Sequence, residues 1–213
     1  MRCTRAFFPT VHYDYDNSLF VFGGRNTTGD LAECEKYNVL MNRWFSITPM
    51  PTARNGSSAV VIDQYIFVIG GNSETLGQLD IIEQYFVNYD KWDKLSIRLR
   101  SKISDFQIFP LFSWSGPSNA GKDFRILIVG GNSEDENVTP IEILDMKPFI
   151  FESAEDRILT LLNHHYKTTL RDPVFGTMTP FGDAQVALVK RYCDSAPTPD
   201  NIVILNFKSL AHL

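Results

Sequence analysis

A strand-like apolar run that closes on a glycine pair occurs twice in this chain, each time followed at matched distance by a tyrosine and then a tryptophan. The first copy is Leu19-Phe20-Val21-Phe22-Gly23-Gly24 with Tyr37 and Trp44. The second is Ile66-Phe67-Val68-Ile69-Gly70-Gly71 with Tyr85 and Trp92. Tyr and Trp stand seven residues apart in both copies, and the glycine pairs lie 47 residues apart. A third pair, Gly130-Gly131, follows Arg125-Ile126-Leu127-Ile128-Val129, with Leu144 and Phe151 at the Tyr and Trp places. A period of this length decides the architecture first, because each unit is a supersecondary module that buries its faces only against its neighbours.

Local patterns divide the first unit into strands. Leu19 to Phe22 is a continuous apolar run, as expected of a strand covered on both faces. Glu35 to Val39 and Arg43 to Ile47 flank an Asn-bearing turn at Leu40-Met41-Asn42. Pro49-Met50-Pro51 interrupts the sheet, since proline has no N–H to donate. Ser58 to Ile62 reads as the fourth strand of that unit. The second unit has 12 extra residues, for Trp44 precedes the next glycine pair by 26 residues and Trp92 by 38. They map to a turn-rich loop at 113–122, after a last strand over 106–112. In the third unit 141–146 and 149–151 keep the middle strands. Ser153-Ala154-Glu155-Asp156 reads as a helix start, with Ile158, Leu161, Leu162 and His165 on one face. Further on, 184–189 matches 58–62 in pattern and 202–205 sits where a glycine-pair strand belongs, with a loop at 195–199 between them.

These residues resemble the kelch repeat, in which each unit is one four-stranded blade of a β-propeller. The resemblance implies an all-β fold, a kelch-type propeller or partial propeller, with one short helical insertion near 153–166. The whole chain, 1–213, reads as a single propeller segment. Its units run 19–65, 66–125 and 126–201, with terminal half-blades at 7–15 and 202–207. The glycine pairs at 23–24, 70–71 and 130–131 permit positive φ and close backbone approach. Tyr37, Trp44, Tyr85 and Trp92 supply large apolar area between blades, and are expected at equivalent positions, largely buried.

About three and a half blades leave two open faces, whereas propellers hide their edges by closing a ring. Three coverings are open: further sequence, which is favoured, a distorted four-bladed closure, or a second copy or additional chain completing the ring. An uncovered blade face of several hundred Å² forgoes on the order of 10 kcal/mol at roughly 25 cal/mol per Å². That matches the net stability of a whole domain, so the chain is not expected to be a self-sufficient monomer.

Composition narrows function mostly by exclusion. The 213 residues are 44% hydrophobic and 21% charged, which argues against disorder, and 16 Phe with 8 Tyr suit strands. A formal charge of −5 argues against a nucleic-acid backbone as main partner. No apolar run approaches the roughly 18 residues that span a bilayer. The first eight residues are not a signal peptide, since Pro9, His12 and Asp14 break the apolar stretch at once. Cys3, Cys34 and Cys193 lack disulfide or zinc spacing and read as free thiols of a reducing compartment. Without a secretory signal, the sequons starting at Asn26, Asn55 and Asn137 read as chance matches. A cytoplasmic protein is expected, with cytoskeletal association as one option.

No catalytic constellation emerges. The glycine pairs have neither dinucleotide nor P-loop spacing. Some kelch-like propellers are copper oxidases of the galactose oxidase type, which need paired histidines. His12 and His212 stand alone here, and His164 and His165 are adjacent and diverge. Asp14, Asp16 and the acidic stretch 134–136 lack a second catalytic partner. No enzyme activity, metal or cofactor is expected. The resemblance implies instead a protein–protein interaction scaffold that binds through loops on one face. The matching positions are Arg25, Asn26, Arg54, Asn55, Asn72 and Asn132, with both arginines expected to fork onto a partner's carboxylate. Kelch propellers also serve as substrate-recognition parts of ubiquitin-ligase adaptors, which is the alternative reading.

Overall fold

The computed structural model describes residues 1–110, 124–133 and 139–146, together with the strands Tyr166–Leu170, Met178–Pro180, Gln185–Val189 and Ile202–Asn206. Three antiparallel four-stranded sheets form the blades of a partial β-propeller. Blade 1 runs through Thr10–Tyr13, Ser18–Phe22, Cys34–Asn38 and Arg43–Ile47. Blade 2 runs through Ser58–Ile62, Tyr65–Ile69, Ile81–Phe86 and Lys91–Arg98. Blade 3 runs through Gln107–Pro110, Arg125–Val129, Thr139–Asp145 and Tyr166–Leu170. Gln185–Val189 and Ile202–Asn206 pair with each other as the first two strands of a blade do, and Met178–Pro180 flanks them.

Sheet membership corrects the strand allotment drawn from the sequence. Ser58–Ile62, assigned above to the first unit, pairs along its whole length with Tyr65–Ile69 and so opens blade 2. The residues over 11–13, assigned to a preceding blade, likewise pair with Ser18–Phe22 and open blade 1. The reason is the turn. Ile62 stands opposite Tyr65 across Asp63 and Gln64, with Asp63 at φ 54°, and a two-residue hairpin forces its strands into one sheet. The fourth strand of blade 3 is Tyr166–Leu170; 149–151, expected to keep a middle strand, lies outside the described residues. Of the helix expected near 153–166, Tyr166 instead opens a strand; 153–165, Phe151, and the loops at 113–122 and 195–199 lie outside the described residues.

The apolar runs beside the glycine pairs are buried on both faces because alternate side chains serve two interfaces. Phe20 and Phe22 of blade 1 meet Ile66, Val68 and Tyr85 of blade 2 in one cluster. Phe67 and Ile69, pointing the other way, meet Ile126, Ile128 and Leu144 of blade 3 in a second. The first strands of the blades lie side by side. The residues leading into them are stitched together, Gly56 N–H donating to Phe7 O and Asp105 N–H to Gly56 O, each at 2.8 Å. Phe7, Gly56 and Asp105 all hold positive φ (54°, 58° and 56°) and recur every 49 residues, which is the true structural period.

Candidate functional site

Each glycine pair ends its strand with a sharp turn and launches a short ladder on one face of the molecule. Arg25–Asn26 pairs with Gly29–Asp30, and Asn72–Ser73 with Gly77–Gln78. Asn132–Ser133 pairs with Ile103–Ser104. The second glycine of the pair is required by space as well as by φ. A Cβ on Gly24 would lie 2.6 Å from Ala6 O, and one on Gly71 2.7 Å from Asn55 O. That close approach lets Asn72 and Asn55 exchange two backbone hydrogen bonds of 2.8 and 2.9 Å. The loop leading into a blade is thereby locked to the loop leaving its glycine pair.

Side chains link these loops from blade to blade. Arg25 is 47% exposed and stands 3.9 Å from Asp30 and 3.8 Å from Glu74 of the next blade, both loose ion pairs. Asp30 accepts from Asn55 Nδ2 at 2.7 Å and from Glu74 N–H at 2.6 Å. Asn26 folds back to accept from Thr28 N–H and hydroxyl, at 2.8 and 2.6 Å. Gln78 donates to Asn132 O at 3.2 Å, and Asn132 donates to Asp105 at 3.1 Å. Arg25, Asn26, Asn55, Asn72 and Asn132 therefore share one face.

Arg54 does not join them, and its expected role is corrected here. Its side chain is completely buried. The guanidinium meets Glu83 at 2.7 Å and donates to Gly70 O at 3.0 Å, Ile81 O at 3.4 Å and Thr52 O at 3.3 Å. Burial pulls its pKa below the ordinary value, and the neighbouring Glu83 opposes that shift. Thr52 donates its hydroxyl to the other oxygen of Glu83 at 2.7 Å. Blade 1 repeats the device. Arg5 meets Glu35 at 2.9 Å and donates to Gly23 O and Glu33 O at 2.7 and 2.6 Å. In blade 3 Glu142 is again buried and accepts from Arg100 N–H at 3.2 Å. The signal was present in the sequence. Glutamate stands two residues before the signature position in all three units, at Glu35, Glu83 and Glu142.

The aromatic pairs occupy equivalent places. Tyr37 stands opposite Trp44 and Tyr85 opposite Trp92, with ring centroids 5.1 and 4.9 Å apart. Burial is less complete than expected. Tyr85 is 1% exposed, whereas Tyr37, Trp44 and Trp92 are half-buried. Trp92 packs edge-on against Phe22 at 5.6 Å and donates its indole N–H to Thr48 O at 2.9 Å. Tyr85 donates to Asp90 at 2.6 Å, and burial followed by that carboxylate raises its pKa.

The family model for the Kelch motif matches residues 15–51, which span most of blade 1. Kelch repeat and BTB domain-containing protein 2 of cowpox virus is 26% identical over 130 residues, 58% of this chain and 23% of the viral protein. Human Kelch-like protein 23 is 35% identical over 80 residues, 37% of this chain and 13% of the relative. Kelch-like protein 40 of Xenopus laevis is 29% identical over 143 residues, 63% of this chain and 21% of the relative. The chain belongs to the kelch-repeat family. It spans less than a quarter of the length of these relatives.

Reactive groups in these kelch blades are separated from one another. His12 lies 2.8 Å from Asp14 and 2.9 Å from Asn17 on an exposed hairpin. His164, His165 and His212 lie outside the described residues. Cys34 is buried and its thiol is pushed up to about 12 by burial, which suppresses the nucleophilic thiolate. Among the described residues no three His, Cys, Asp or Glu side chains converge as a metal site. A cavity of about 420 Å³ opens beside the first strands, lined by Phe7, Phe8, Ser57, Asp105, Phe106 and Gln107 among others. Its one carboxylate has no second acid or base beside it in that lining. Among the described residues no helix is long and apolar enough to cross a membrane.

Proposed function

We propose that this kelch protein is a non-enzymatic interaction scaffold that holds a partner protein on the face carrying Arg25, Asn26, Asn55, Asn72 and Asn132. One observation carries the reading: loops from successive blades are tied side by side through Arg25–Glu74, Asn55–Asp30 and Gln78–Asn132 contacts. A rigid sheet scaffold presenting aligned polar loops is suited to recognition rather than to bond-making. With Arg54 withdrawn, one arginine stands among the carboxylates of Asp30, Glu74 and Asp105. The face then suits a partner bringing amides, hydroxyls and cations rather than a purely acidic segment. Arg25 retains its forked donors, because ion pairs of nearly 4 Å exchange readily for a partner's carboxylate. A cytoplasmic location, including on the cytoskeleton, goes with this reading.

The test places a photo-crosslinking residue at Leu76, on the loop face, or at Leu40, on the opposite hairpins; both are exposed. A partner crosslinked from position 76, and lost on Arg25→Glu or Asn132→Arg, supports the reading. Crosslinks arising only from position 40 overturn it. A second reading, a substrate-recognition part of a ubiquitin-ligase adaptor, draws on the viral relative whose name includes a BTB domain. Co-purification of a cullin-type protein with the loop-face partner would favour that reading. Copper-dependent oxidation by the purified chain would revive the enzyme alternative.

A further inference from the structure

The cavity beside the first strands is walled by one stretch of the repeat taken three times, residues 7–10, 56–59 and 105–108. It lies at the loop end, because Ala6, Asn55 and Ser104, which lead into the three stretches, each press against the second glycine of a pair. Phe7, Gly56 and Asp105 hold equivalent places and follow one another in a run of backbone hydrogen bonds, Gly56 N–H to Phe7 O and Asp105 N–H to Gly56 O. A bare glycine therefore stands between an aromatic residue and a carboxylate. Phe7 is 69% exposed, and Asp105 is exposed too. Asp105 Oδ1 lies over the glycine, 2.7 Å from where a Cβ on Gly56 would stand. The side-chain donors that reach Asp105, from Asn132 at 3.1 Å and Ser104 at 3.3 Å, both go to Oδ2. Oδ1 thus keeps its lone pairs for a ligand.

The wall next to this glycine is short of donors. Ser57 is only 8% exposed, and its Oγ has no hydrogen-bond partner among the described residues. Between blades 2 and 3, Ser58 donates its hydroxyl to Phe106 O at 2.6 Å. Between blades 1 and 2 the place of Ser58 is held by Pro9, which has no hydroxyl, so Ser57 O lacks that donor. Buried polar groups in native proteins are nearly always hydrogen-bonded, and acceptors left over in a cavity wall call for a donor from outside.

We propose that this cavity receives the guanidinium of an arginine side chain carried by the partner on the loop face. Asp105 Oδ1, Ser57 O and Ser57 Oγ supply acceptors, Phe7 supplies an aromatic surface, and none of the residues lining the cavity is basic. A guanidinium brings five donors in a planar fork and stacks on an aromatic ring, whereas an ammonium offers three donors at one point. A metal ion is a poorer occupant, since a single carboxylate falls short of the oxygen ligands that a hard cation takes. Asn132 joins the cavity to the loop face, for its side chain donates to Asp105 while its backbone carbonyl accepts from Gln78. Only the carrier of the arginine rests on the loop-face reading given above; the chemistry of the cavity does not.

The test titrates N-acetyl-arginine methylamide into the native chain and follows its NMR spectrum. The citrulline analogue, equal in shape but uncharged, is the control. Arginine is expected to shift the signals of Phe7, Ser57 and Asp105 saturably, and citrulline to bind at least about fivefold more weakly. Asp105→Asn keeps a residue type that tolerates positive φ and should weaken arginine binding about fivefold; Phe7→Leu should weaken it about threefold. Equal affinity for citrulline, or shifts confined to other residues, overturns the proposal without need of any variant. So does an Asp105→Asn chain with a native spectrum that binds arginine as tightly as before. A partner crosslinked from position 76 whose capture resists both excess capped arginine and Asp105→Asn overturns it while the loop-face reading stands. Saturable arginine binding together with crosslinks only from position 40 supports the guanidinium site while the loop-face reading fails.

Discussion

Blades 1 and 2 differ more in what surrounds them than in what they contain. Both set a tyrosine against a tryptophan in the same register, both bury an arginine–glutamate pair at the loop end, and both turn on a glycine pair. Among the described residues blade 2 is flanked on each side and its tyrosine is sealed; blade 1 is flanked on one, and its tyrosine is half-exposed. The same residues therefore do different energetic work. A repeat array is stabilised by nearest-neighbour interfaces, so a signature residue contributes in proportion to the neighbour it meets.

The sharpest way to break this comparison is at the buried ion pairs. Removing Arg54 strands Glu83 in the interior, so Arg54→Ala should cost about 3–5 kcal/mol in denaturant unfolding. Arg5→Ala should cost less, because Glu35 keeps two backbone donors. Equal losses would mean that the two backbone donors do nothing to hold Glu35 once Arg5 is gone. Next in size are the tryptophans. Trp92→Ala should cost roughly 3 kcal/mol, the low end for aromatic truncation, since the ring is half-buried. Trp44→Ala should cost under about 1 kcal/mol.

Asp90 gives a smaller effect with a defined pH sign. Its carboxyl lies below the usual value: burial works against this, and hydrogen bonds from Tyr85 and Thr48 outweigh it. A depressed folded pKa stabilises above the unfolded value of about 4 and loses that contribution as pH falls through the folded value. Acid unfolding of the native chain should therefore steepen there relative to Asp90→Asn, by about 1 kcal/mol at most for so exposed a group. If Asn42, its blade 1 counterpart, is changed to Asp, a similar acid-labile increment should appear.

Smallest is Phe7, which holds φ 54° where blade 2 uses Gly56. The ring is 69% exposed, so Phe7→Gly removes backbone strain and little packing. The variant should be as stable as the native chain or up to about 1 kcal/mol more so, the added freedom of glycine when unfolded offsetting part of the gain. A clear loss by thermal unfolding would show that the ring packs against something at the mouth of the cavity beside the first strands.

Much of the fold was legible from local signals. Positive φ at Gly23, Gly24, Gly70 and Gly71 follows from the glycine pairs, and the Tyr–Trp register follows from seven-residue spacing across a tight hairpin. Double-sided burial of Phe20–Phe22 and Ile66–Ile69 follows from their unbroken apolarity. Five of the six positions expected to contact a partner share a face because each sits in or beside a loop fixed by the repeat. The buried Glu35, Glu83 and Glu142 were written in the sequence too, but a lone glutamate two places before the signature position reads as solvated until its partner is known.

What the sequence determined by itself was everything set by neighbours along the chain: strand identity, turn positions, the repeat, and with it the kelch fold. Only the tertiary structure decided which sheet Ser58–Ile62 joins, that Arg54 points inward to Glu83 rather than outward to a partner, and that Tyr37 stays half-exposed where Tyr85 is sealed. Backbone conformation is governed by residues a few positions away, whereas burial of a charge or exposure of a ring depends on segments tens of residues distant. Arg54 and Glu83 are 29 residues apart, and Trp92 and its acceptor Thr48 are 44. No local pattern encodes such a meeting; it exists only once the blades are stacked.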